Sequence, residues 1–161
     1  MKLVSALAAV VALALGVAAT ATAGVWPTAG KASLHGVPPS ADARGRAVIE
    51  IQPRHAVVGL DGLRGLPGTQ PRGFVIWLAT DRSEGAIGGV FRKSWAPHGF
   101  DATVPGNKRT SRSNARAADR IVVTTMAVGH IRRLLRSAEK SGWRRGMTIE
   151  GQRVLRGPVK G

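Results

Sequence analysis

The sequence has no cysteine, and aromatic residues make up only 4% of its 161 positions. With no thiols there is no disulfide framework, no thiolate metal site and no lipid-modified cysteine, so stability has to come from core packing or from a partner. Acidic residues are scarce as well, 9 against 24 Lys plus Arg, for a formal net charge of +15. Long apolar runs are confined to the N-terminus. What remains is a strongly basic chain whose length suits one independent core.

Met1 and Lys2 form a short positive start, and Leu3 to Ala19 is apolar except for Ser5 and Gly16. Ala21-Thr22-Ala23 then places small residues where a signal peptidase cuts. The pattern predicts a secretion signal over residues 1–23, cleaved ahead of Gly24, and an extracytoplasmic protein, secreted or held in the cell envelope. No stop-transfer pattern follows, so no transmembrane span is expected in the mature chain.

Residues 24–45 contain Pro27, Pro38, Pro39 and many small side chains and read as an irregular N-terminal segment, leaving residues 46–161 as the domain. Ala47, Ile49 and Ile51 alternate with Arg46, Val48 and Glu50, a strand pattern closed by Pro53. Ala56 to Leu60 reads as a second short strand, and the Gly- and Pro-rich passage from Asp61 to Pro71 as a turn or long connection. Phe74-Val75-Ile76-Trp77-Leu78-Ala79 is apolar on both faces and rich in β-branched and aromatic residues, which predicts a strand inside a sheet with Trp77 in the core. Gly88 to Phe91 is expected to return antiparallel to it. Trp95 to Thr103 suggests an irregular edge strand, and Asn107 to Asp119 an exposed loop or weak helix. Arg120 to Met126 is a further strand. Met147 to Glu150, Gly151-Gln152 and Arg153 to Arg156 suggest a final hairpin with a positive φ at Gly151.

One segment has helical rather than strand periodicity. Ile131, Leu134, Leu135 and Ala138 share a face, Arg132, Arg133, Arg136 and Lys140 occupy much of the opposite side, and Gly142 marks a stop. The fold expected is therefore mainly β, an antiparallel β-sandwich with one short basic amphipathic helix inserted before the final hairpin.

Phe74-Val75-Ile76-Trp77-Leu78, Gly89-Val90-Phe91, Ile121-Val122-Val123-Thr124 and the closing Val154-Leu155-Arg156-Gly157 follow an order that resembles the extracytoplasmic C-terminal domain of anti-sigma-K-type factors. The resemblance spans Arg46 to Gly157 and implies a small β-sandwich with a sensory or interaction role outside the cytoplasm. Two features depart from the family: Thr125 stands where a Glu usually follows the Val-Val-Thr strand, and an Arg-rich helix precedes the last strands. The sequence has no counterpart of the cytoplasmic zinc-associated module that grips a sigma factor, so sigma-factor inhibition is not expected to carry over.

Chemistry-bearing constellations are thin. His35, His55, His98 and His130 lack chelate spacing, Gly85 to Gly89 lacks the context of a nucleotide-binding loop, and Ser111 and Ser113 stand outside any nucleophile-elbow pattern. No catalytic residue, metal or cofactor is expected. The cations, in contrast, cluster in two windows, one with Lys108, Arg109, Arg112, Arg116 and Arg120, the other with Arg132, Arg133, Arg136, Lys140, Arg144 and Arg145. Eighteen of the 24 basic residues are Arg, which favours bidentate contact with phosphate or carboxylate. The second window is the expected contact with an anionic surface, with Trp143 either at a lipid interface or tucked into the core.

The function expected is a noncatalytic cell-envelope interaction or sensory domain. Its partners would be an anionic polymer, a lipid surface or an envelope protein, with nucleic acid disfavoured as a physiological partner. A diffusible polyanion binder and a small secreted hydrolase with an unrecognised site are the alternatives. A His or carboxylate pair in a deep pocket would favour catalysis, and an outward basic surface would favour binding.

Overall fold

Strand β4, Arg72–Ala79, is buried at every position after Arg72. Consecutive strand side chains point to opposite faces, so a strand of this kind needs cover on both sides. In the computed structural model, which describes residues 26–68 and 72–161, that cover comes from two separate layers. The expected leader, residues 1–23, lies outside the described residues, as do positions 69–71 of the Gly- and Pro-rich connection.

The strands preceding β4 are β1 (Thr28–Gly36), β2 (Arg44–Ile51) and β3 (Ala56–Arg64). After it come β5 (Glu84–Phe91), a 3-10 turn (Lys93–His98), β6 (Phe100–Thr103), helix α1 (Lys108–Arg116), β7 (Arg120–Ala127), helix α2 (Val128–Lys140), β8 (Met147–Thr148) and β9 (Gln152–Pro158). All pair antiparallel in one nine-stranded sheet of order β6-β3-β2-β1-β9-β7-β4-β5-β8. The fold is mainly β, a curled, open sheet in the form of a half-barrel.

The curl brings the two ends of the sheet towards each other. Phe74, Phe91 and Phe100 stack with ring centroids 4.9 and 4.8 Å apart, joining β4, β5 and β6 without a ladder between β5 and β6 among the described residues. Gly89 lies against Ala102 across this seam, where a Cβ would be only 2.6 Å from the alanine's. Inside the curl, Phe74, Ile76 and Leu78 meet Leu34, Ile49, Val58, Leu60, Ile121, Val123 and Leu155. On the outer face, Val75, Trp77 and Ala79 with Val122 and Met126 are covered by Ile131, Leu134 and Ala138 of α2. The indole N–H of Trp77 donates to Thr124 Oγ1 at 2.9 Å, so the largest buried side chain also has its polar atom satisfied.

The structure bears out the strands at Arg46 to Ile51, Phe74 to Ala79 and Arg120 to Met126, the β4–β5 antiparallel return, and the basic helix around Ile131 to Ala138. It corrects four other expectations. The segment read as irregular, residues 24–45, contains β1, in which Gly30, Ala32 and Leu34 face inward between exposed Lys31, Ser33 and His35. Strand β3 continues through Asp61 to Arg64, passing a positive φ of 59° at Gly62 while Leu63 stays buried. The final hairpin does not form: β8 pairs with β5, whereas β9 inserts between β7 and β1. Gly151 does have a positive φ, 90°, but it leads into β9 rather than turning a hairpin. Finally, of the loop or weak helix expected at Asn107 to Asp119 the structure has the helix, Lys108–Arg116, so the described residues hold two α-helices rather than one.

Helix α1 is fastened by polar groups. Ser111, fully buried, donates its hydroxyl to Val104 O at 2.7 Å and accepts from Ala56 N at 2.9 Å. One hydroxyl thus satisfies two main-chain groups, at β3 and just beyond β6. Ser111→Ala leaves both groups buried and unpaired and is expected to lower stability by about 1–3 kcal/mol. A urea titration checks this: the midpoint falls while the slope is unchanged, and an unaltered midpoint would refute the clamp.

Candidate anion-binding surface

Asn107 caps α1, its side-chain oxygen accepting from Thr110 N at 2.9 Å, after a turn through Gly106 at φ 112°. The helix buries Ser111, Asn114 and Ala115, a spacing of three and four residues that defines its inner face. Ala115 belongs to the core inside the curl. Lys108, Arg109 and Arg116 are left exposed, and Arg112 lies half-buried at the margin.

The second contribution comes from the end of α2. Gly142 and Trp143 both adopt the left-handed conformation, with φ of 69° and 60°, and Trp143 N donates to Ala138 O at 2.8 Å, closing the helix and reversing the chain. A left-handed conformation is costly for a residue with a Cβ. Here it is held from two sides. The half-buried Trp143 packs with Leu135, Met147 and Ile149 against the outer core, and its carbonyl accepts from Asn114 Nδ2 at 2.8 Å. The reversal therefore ties the α2–β8 connection to α1.

The result is a groove of about 850 Å³ along α1, lined by Lys108, Arg109, Arg112 and Arg116 on the helix and by Arg145 from the connection. No carboxylate lines it, and among the described residues none of the five cations is in an ion pair. Arg112 Nε is buried and has no hydrogen-bond partner. The first turn of α1 has no acidic residue, so the positive end of the helix dipole adds to the same potential.

The six residues expected to form an anionic contact, Arg132, Arg133, Arg136, Lys140, Arg144 and Arg145, are all exposed, but they divide among three places. Arg132, Arg136 and Lys140, spaced by four, form one row on α2. Arg133 and Arg144 line a smaller concavity of about 320 Å³ with His130, Ser137 and Glu150. Arg145 turns to the α1 groove. Sequence reasoning noted the cations of Lys108 to Arg120 but did not join them to Arg145. The anchoring face of α1, Ser111 and Asn114 beside Ala115, carries no apolar signal that could have revealed the junction.

The remaining polar and aromatic side chains make separate contacts. His130 Nε2 is 2.6 Å from Glu150 Oε2, and both side chains are more than two-fifths exposed, which makes this a solvated pair at the rim of an open concavity. Asp61 and Asp119 are taken up by Arg46 and Arg120 at 2.8 and 2.9 Å. No cluster of three metal-ligating His or carboxylate groups occurs among the described residues. Trp95 is exposed, its ring edge-on to Phe100, and Trp77 is enclosed as expected. Thr125 is buried and donates to Gly73 O at 3.0 Å.

No family model, curated protein or solved structure matches this chain.

The Asn114 contact gives a local prediction. In Asn114→Ala the α2–β8 connection loses its tie to α1, and amide exchange at Trp143, whose N–H donates to Ala138 O, is expected to rise about tenfold, the size of one lost hydrogen bond. Exchange in β4 and β7 stays unchanged; a uniform rise across the sheet would show that Asn114 supports the whole fold rather than this connection.

Proposed function

We propose that the protein is a noncatalytic, exported interaction domain of the cell envelope that contacts anionic polymers or lipid head groups through the surface formed by α1, α2 and the connection between α2 and β8. The observation that carries this reading is the division of labour within α2. Its apolar side, Ile131, Leu134 and Ala138, is used up against the outer face of the sheet, so the guanidinium groups on the remaining faces are left to solvent and to partners. Groups held there at fixed positions attract polyanions over a Debye length and engage phosphate or carboxylate bidentately at contact.

The apolar start of the sequence supports export. The sequence order of Phe74–Leu78, Gly89–Phe91, Ile121–Thr124 and Val154–Gly157 supports the likeness to the extracytoplasmic anti-sigma-K-type domain, and we read the two arms of the curled sheet as the layers of a sandwich. No helix among the described residues is long and apolar enough to cross a membrane. The partner is accordingly sought at a surface or along a polymer.

Binding to anionic vesicles and to acidic envelope polymers is expected to be strong at low salt and to weaken steeply as salt rises. Neutralising Arg132, Arg133 and Arg136 together to Gln is expected to weaken vesicle binding by roughly a hundredfold, because each cation near an anionic surface contributes about a factor of five. Co-sedimentation across a salt series checks both. If the folded protein binds neither vesicles nor polymers at low salt, the reading fails.

A further inference from the structure

Building on the reading that the basic surface meets anionic material, we propose that the α1 groove is a dedicated site for a single linear chain linked by phosphodiesters. Four features select this ligand. The concavity is open and is lined along α1 from Lys108 to Arg116, so a single strand can lie along the helix. Lys108, Arg112 and Arg116 stand at steps of four residues, about 6 Å apart along the axis. A chain whose phosphates are joined through three-carbon units repeats its charge on a similar length.

The third feature is the pair of walls. Arg109, Arg112 and Arg116 come from α1, whereas Arg145 comes from the α2–β8 connection. A phosphodiester carries two non-ester oxygens, so that one can meet a guanidinium of the helix and the other Arg145. Arg112 supplies the fourth feature. Its Nε–H is withdrawn from water and has no acceptor among the described residues, a cost that a shift of the side chain towards an anion oxygen in the groove would remove. Ser113, on the same lining, offers a neutral hydroxyl to ester oxygens or to hydroxyls of the chain. No aromatic ring lines the groove, so there is no platform on which bases could stack, and recognition falls on the backbone of the polymer.

The test uses a glycerol-phosphate hexamer as probe, titrated at several salt concentrations. The hexamer is expected to bind, and Arg112→Gln with Arg116→Gln to weaken it at least tenfold. Removing two contacts should also make the slope of log affinity against log salt shallower by roughly 1.4, at about 0.7 for each phosphate contact on a single strand. The charge-matched pair Arg64→Gln with Arg92→Gln, both exposed and outside the groove, should change affinity less than about threefold, the part due to net charge alone. Should the Arg112 variant unfold, Arg116→Gln with Arg145→Gln repeats the test using exposed residues only.

Equal losses in the groove pair and the charge-matched pair would overturn the site while leaving the general anionic reading in place. A galacturonate hexamer bound as tightly as the glycerol phosphate would overturn the phosphodiester chemistry. If the groove variants lose anionic vesicles and keep the hexamer, the ligand is a lipid head group and the proposal is wrong. Absence of all binding by the unsubstituted protein at low salt would remove the broader reading as well.

Discussion

Strand β4 has to be covered from two directions, because its side chains from Phe74 to Ala79 are apolar on both faces. The inward set is met by the curl of the sheet, and the outward set by α2. Transfer of a large apolar side chain out of water is worth about 1.5–3 kcal/mol, so neither face could be left bare in a domain of this size. The orientation of α2 follows from that demand. Once Ile131, Leu134 and Ala138 are pressed onto Val75 and Trp77, the basic residues between them have nowhere to go but outward.

Helix α1 obeys a different logic. Its inner face is small and hydrogen-bonded, with Ser111 linking main-chain groups on two sides and Asn114 reaching the carbonyl of Trp143. Such contacts stabilise less than a wide apolar stripe, but they fix distance and direction closely. The cations of the helix are thereby held opposite Arg145 rather than merely being near it. Like charges assembled this way repel one another, and Asp119, the acid nearest to α1 in the sequence, is paired with Arg120. The protein carries an electrostatic cost that an anionic partner would remove.

What could be seen in the sequence was the part written in large apolar side chains. Strand β2 and helix α2 repeat such residues at a clear period, and β4 and β7 carry them in continuous runs. Strand β1 keeps the same alternation, but its inward residues include Gly30 and Ala32, small because the C-terminal residues around Val159 pack closely there, and small residues give little contrast. The pairing of β9 with β7 and β1 was hidden for another reason: sequence neighbours suggested a hairpin with β8, whereas the ladders join segments tens of residues apart. The exposed arginines of α2 were legible from periodicity alone. That Arg145 belongs with α1 depends on an amide-to-carbonyl bond and a left-handed tryptophan, neither of which has a sequence signature.

The sheet ends in strands of four and two residues, β6 and β8. An exposed strand edge is a template on which another chain can add itself, and longer, flatter edges are better templates. Here one edge is too short to hold more than a few main-chain bonds and folds back beside β5, and the other offers only Met147 and Thr148. Without cysteines to lock it and with a sheet of nine strands to protect, the domain leaves only short terminal strands at its two borders on which another copy could add itself. A solution of it at high concentration should stay dispersed even when salt has muted the mutual repulsion of its charges.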